Sequence, residues 1–152
     1  MSTSLIPYKH APSSIVYVFI LFTLSCGSPQ LTVENAWVRP NVPPVKIAAA
    51  YLIIRNPTDH PVSLVAASTP VASITEMHAM SHDGNIMRMH KLDRLPIPAN
   101  GTTSMQPGGN HLMLIDLHND LQPGATVDIS LTFDNGQTQI IHAPVKNNPS
   151  GQ

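Results

Sequence analysis

The chain predicts an all-β fold of two packed sheets, and three observations carry that reading. Apolar segments are short and show no sustained helical period, they are separated by clusters of turn residues, and fifteen prolines and eight glycines stand against only 5% aromatic residues. Strands of this length at this spacing, with hairpin turns between them, give a sandwich or a barrel. With 152 residues, the chain fits one domain with room for a real core.

The elements follow in order. Residues 1–27 read as an export signal: Lys9 and the α-amino group give a weakly positive start, and Ile15 to Leu24 form an apolar run of signal length, too short for a comfortable membrane span. Cys26, the only cysteine, follows the run at the point where bacterial lipoproteins carry their lipid, but Thr23 stands where they prefer Leu. Lipidation at Cys26 and simple cleavage near Gly27 both stay open, and either leaves a folded domain without a thiol. The domain proper is read over 28–146. Strands are expected near Leu31–Arg39, Ile47–Arg55, Val62–Ser68, Ala72–His78, Ile86–Leu92, Thr102–Met105, His111–Leu117, Val127–Phe133 and Gln137–Ala143. Between them lie turn sequences such as Asn56-Pro57-Thr58-Asp59, Asp83-Gly84-Asn85, Pro107-Gly108-Gly109-Asn110 and Asp134-Asn135-Gly136, the last a strong hairpin signal. The polar tail, 147–152, is expected to be disordered.

Composition excludes several functions. Charged residues make up 11% of the chain and the net charge is −1, so there is no basic stripe to follow phosphates and no footprint for nucleic acid. A blue-copper electron-transfer site needs a cysteine thiolate, which the domain lacks. No nucleophile with a paired base is visible, and the carboxylates Glu76, Asp83, Asp93 and Asp116 show no acid/base spacing, so the expectation is a protein that is not an enzyme.

What stands out instead is placement. All six methionines after Met1 lie between Met77 and Met113, together with four of the eight histidines. Methionine fills core gaps, and Met77, Met87 and Met105 taken singly fit that account. Several imidazoles beside the thioethers do not, since cores seldom hold them. In His111-Leu112-Met113-Leu114 the strand period of two sends His111 and Met113 to one side and the leucines to the other. His78 ends one strand and Met89 lies on the next, so the intervening hairpin brings a second imidazole and thioether within reach. Two such pairs make a four-ligand pocket of His78, Met89, His111 and Met113. Thioether sulfur is a soft donor that holds copper(I) well and zinc, magnesium or calcium poorly, so the set suits one copper(I) ion. It also suits an oxidising compartment, where a thiol would be lost to disulfides. His82, His90, Met77 and Met80 are candidate helpers in capture, or plain strand and loop residues; Trp37 and Tyr51 pack the core or flank the site; Arg39 is a structural or docking residue.

The spacing resembles a known family. Ten residues separate His78 from Met89, twenty-one separate Met89 from His111, and Met113 completes a His-x-Met. This is similar to the motif of the PCuAC-type periplasmic copper chaperones, and the similarity extends through Ala36-Trp37-Val38-Arg39-Pro40, Ala48-Ala49-Ala50-Tyr51-Leu52, Glu76-Met77-His78, Met87-Arg88-Met89 and Pro107-Gly108-Gly109. The resemblance implies a cupredoxin-like Greek-key β-sandwich and a periplasmic copper chaperone, and the expectation is a monomer that carries copper(I). The implied recipient is the CuA site of cytochrome c oxidase subunit II, with membrane contact only through a lipid at Cys26. The alternative is a copper buffer without a dedicated recipient. Relatives with a His- and Met-rich C-terminal extension differ from this chain, which ends in Lys146-Asn147-Asn148-Pro149-Ser150-Gly151-Gln152.

Overall fold

A computed structural model describes residues 29–84 and 86–147. The export segment read at 1–27, with Cys26 in it, and residues 148–152 of the tail lie outside the described residues.

The described chain is built from ten strands: β1 Thr32–Arg39, β2 Ile47–Asn56, β3 Val62–Ser68, β4 Ala72–Asp83, β5 Ile86–Leu92, β6 Leu95–Ile97, β7 Gly101–Met105, β8 His111–Leu117, β9 Thr126–Phe133 and β10 Thr138–Pro144. They form two antiparallel sheets. The larger runs β1-β2-β8-β4-β5, with β7 also pairing β2; the smaller runs β10-β9-β3-β6. Because β8 inserts between β2 and β4, strands distant in sequence become neighbours, and a parallel bridge from Val38 to Val145 ties β1 to the residue that follows β10.

Period-two patterning explains the core. On β9, Val127, Ile129, Leu131 and Phe133 are buried while Thr126 and Asp128 are exposed. From the larger sheet Val38, Leu52, Ile54, Leu112 and Leu114 meet them, all essentially inaccessible to solvent. A second, smaller apolar cluster of Trp37, Ala49 and Tyr51 is separate from the core. It covers the opposite face of β1 and β2.

Turns are fixed by specific chemistry. Gly136 has φ +83° in the β9–β10 hairpin, where the Phe133 N–H donates to the Gln137 carbonyl. Asn41 is buried and donates Nδ2–H to Val45 O and Asp120 Oδ1 while accepting from the Leu121 N–H, which ties the loop after β1 to the loop after β8.

Two departures from the sequence expectation have physical reasons. Strand β4 continues five residues past His78, because Ala79 to Asp83 pair only with β5. With no core beneath that extension, its sequence carries no apolar alternation. Strand β6 was not expected: Leu95-Pro96-Ile97 is three residues with a central proline, tolerated because it sits at a sheet edge paired only to β3.

Candidate metal centre

The register places the predicted ligands on one face. Residues directly opposite on antiparallel strands point the same way. His78 faces His111 and Glu76 faces Met113 across β4–β8; Met113 faces Ala49 across β8–β2; Met80 faces Met89 across β4–β5. Since His78 and Met80, like His111 and Met113, are two residues apart, all four predicted ligands share the face of the larger sheet turned away from the core. Leu112, Leu114 and Met77 take the inward face. Met77, offered above as a helper in capture, is therefore a core residue, 5% exposed. His90 pairs with Ala79 and so belongs to the face opposite Met89. Met105 is core as well, whereas Met87 is exposed.

Met89, His111 and Met113 line a common cleft of about 110 Å³ with Arg39, Pro40 and Ala49. Met89 on β5 thus shares a cleft with residues of β8, β2 and the end of β1. His78 is not among the lining residues, but its ring centroid lies 6.0 Å from that of His111. The cleft runs from buried to open: His111 is 7% exposed and Met89 is 48% exposed.

Each imidazole has one nitrogen engaged. His78 Nε2 lies 2.9 Å from Glu76 Oε2, and a carboxylate only accepts, so Nε2 carries the proton in that bond and Nδ1 of the neutral ring holds a free lone pair. That Nδ1 is buried and has no hydrogen-bond partner. His111 Nδ1 lies 3.0 Å from the carbonyl oxygen of Gly109, so it donates and leaves Nε2 free. The Gly109 carbonyl is presented by the Gln106–Asn110 turn, in which Gln106 N–H donates to Asn110 O and Gly108 takes φ +81°. Two imidazoles held from behind, each with an available lone pair, beside two thioethers: this arrangement fits a soft metal ion.

The surroundings fix the predicted ligands further. Lys91 Nζ donates to Glu76 Oε1 at 2.7 Å, and hydrogen bonds from Lys91 first and His78 second hold the Glu76 carboxyl below its ordinary range. The same contact raises the Lys91 ammonium. The Tyr51 ring lies 6.3 Å from His111 and 4.7 Å from Trp37, with the Arg39 guanidinium 5.8 Å from its centroid. Burial raises the Tyr51 phenol, and the Arg39 charge opposes that shift. Trp37 and Tyr51 thus flank the site and do not join the main core. Glu76 was not assigned a site role from sequence; the signal was present as Glu-x-His, which on a strand puts both side chains on one face.

Solved structures of this fold include PCuAC domains. The matching family model is the one described as "Putative lipoprotein LpqE-like", over residues 31–145, and the chain belongs to that family. The solution structure of CuI-DR1885 from Deinococcus radiodurans is 35% identical, with a TM-score of 0.68 over 84% of this chain and 87% of that one. The copper-bound PCuAC domain from PmoF2 is 21% identical with a TM-score of 0.67 over 78% and 93%, a likeness of fold. A curated relative, "Putative lipoprotein Lxx21020" of Leifsonia xyli subsp. xyli, is 29% identical over 115 residues, 75% of this chain and 68% of the relative. The cupredoxin-like sandwich expected from the sequence is the fold found.

Proposed function

We propose that the domain carries a single copper(I) ion as cargo on His78, Met89, His111 and Met113 and passes it to another protein by ligand exchange, without catalysing a reaction. The observation that carries this reading is the pair of imidazoles with one nitrogen committed to a protein acceptor and the other free, beside Met89 and Met113 on one face. Copper-bound relatives of the same fold support it: one 35% identical neighbour was solved in its CuI form.

The graded exposure suits transfer. Exposed Met89 is the ligand that an incoming donor reaches first, whereas buried His111 releases last. Neutral thioethers permit stepwise replacement without charge separation. The proposed setting is outside the cytoplasm, in the periplasm, after removal of residues 1–27 or with a lipid anchor at Cys26; the word lipoprotein in the names of the family and of the Leifsonia relative agrees with an extracytoplasmic place. The domain at 28–146 acts as a monomer, and the proposed recipient is the CuA centre of cytochrome c oxidase subunit II.

A copper-loaded domain mixed with an empty, soluble CuA domain tests the recipient. The proposal expects the recipient's copper absorption to grow as the donor empties. A donor that stays loaded beside an empty recipient identifies a copper buffer instead.

A further inference from the structure

Glu76 plays no part in the ligand set, yet it touches two members of this face. Its Oε2 accepts from His78 Nε2 at 2.9 Å, and its Oε1 accepts from Lys91 Nζ at 2.7 Å. Both contacts follow from the sheet: Glu76 and His78 are two apart on β4, and Lys91 lies directly opposite His78 on β5. Glu76 is only 23% and His78 14% exposed at the side chain, whereas Lys91 is 57% exposed. The partly buried carboxylate thus sits behind the imidazole, and the lysine holds the carboxylate from the solvent side.

We infer that Glu76 is a positioning residue for copper capture: it fixes the His78 ring so that buried Nδ1, not Nε2, is presented to the ion, and Lys91 secures Glu76 in that pose. This inference rests on His78 being a ligand. The consequence is an asymmetric pair of imidazoles, His78 binding through Nδ1 and His111 through Nε2. A carboxylate accepting the distal N–H also makes the imidazole a stronger donor, and partners in this position typically contribute about 10- to 100-fold in metal affinity.

A plain surface ion pair between Glu76 and Lys91 makes a different prediction, so the two accounts separate. Copper(I) affinity is measured against a chromogenic chelator for the full chain, for Glu76→Gln, Lys91→Met and His78→Ala, and for the double variant Glu76→Gln/His78→Ala. Glu76→Gln is expected to weaken copper about 10-fold or more, Lys91→Met by much less, and Glu76→Gln to have no further effect once His78 is alanine. Nitrogen-15 spectra of the loaded protein are expected to show His78 Nε2 still protonated and Nδ1 bound to the metal. Equal effects of Glu76→Gln and Lys91→Met, additive effects in the double variant, or metal on Nε2 would overturn the positioning role. If His78→Ala itself leaves affinity unchanged, the ligand assignment fails, and the positioning role with it; if His78→Ala weakens copper and Glu76→Gln does not, only the positioning role fails.

Discussion

His78 and His111 illustrate how much one hydrogen bond per ring decides. Each ring gives one N–H to an acceptor of the protein, Glu76 in one case and the Gly109 carbonyl in the other, which leaves a single lone pair per ring to offer. The spacing of the motif revealed which residues converge, and the strand period revealed that His111 and Met113 share a side. Which nitrogen each ring presents was not legible, because that depends on the acceptor behind the ring. A pH dependence follows at this scale. Protons compete with copper for an imidazole lone pair and do not compete for thioether sulfur. Copper retention against a chelator of fixed strength should therefore weaken as the medium is acidified, and retention indifferent to acidification of the folded protein would speak against the imidazoles as ligands.

At the scale of elements, the long strands that build the core were readable, whereas short β6 and the extension of β4 past His78 were not. Alternation marks β9 because Val127, Ile129, Leu131 and Phe133 all meet the opposite sheet. The distal half of β4 has no such partner, so its sequence offers no alternation, yet its pairing with β5 is what brings Met89 to the cleft. Hairpins were the most legible feature. The turn at Asp134-Asn135-Gly136 is tied back to β3, with Asp134 Oδ1 accepting from the Ser63 backbone N–H at 2.9 Å and the Asp134 N–H donating to the Ser63 carbonyl. The backbone bond from Ser63 is the main cause that lowers the Asp134 carboxyl from its ordinary value of 3.8. A carboxyl depressed in the folded state stabilises the fold above its unfolded value, and that contribution is lost as pH falls through the folded one. Replacing Asp134 with Asn should lower the thermal midpoint at neutral pH and shrink the part of the acid destabilisation seen below about pH 4. A variant with an unchanged midpoint and an unchanged acid profile would show that this contact contributes nothing.

For the whole molecule, the division of labour between the two faces of the larger sheet is the main result. One face supplies Leu112, Leu114 and Met77 to the core, and the other carries Met89, His111 and Met113 around an open cleft with His78 beside His111. The proposed ligands therefore stand on a packed scaffold, and a substitution on one face should leave the other largely intact. Phe133, 2% exposed at the end of β9, supports the fold and does not line the cleft. Phe133→Ala should cost about 3–5 kcal/mol in denaturant unfolding, whereas Met113→Leu, which keeps size and apolarity, should cost under about 1.5 kcal/mol. The fold class and the gathering of His78, Met89, His111 and Met113 on one sheet face were both legible in the sequence for the same reason: each is written in short-range spacing. The extension of β4 and the carboxylate behind His78 depend on contacts between strands, which spacing does not encode.

The most direct test of the central claim is a copper(I) titration of the full chain against a chromogenic chelator under reducing conditions, run beside His78→Ala, Met89→Leu, His111→Ala and Met113→Leu. One tight equivalent, weakened by each of the four substitutions while the fold persists, is the predicted result; failure to compete for copper, or an affinity indifferent to these four residues, would contradict it.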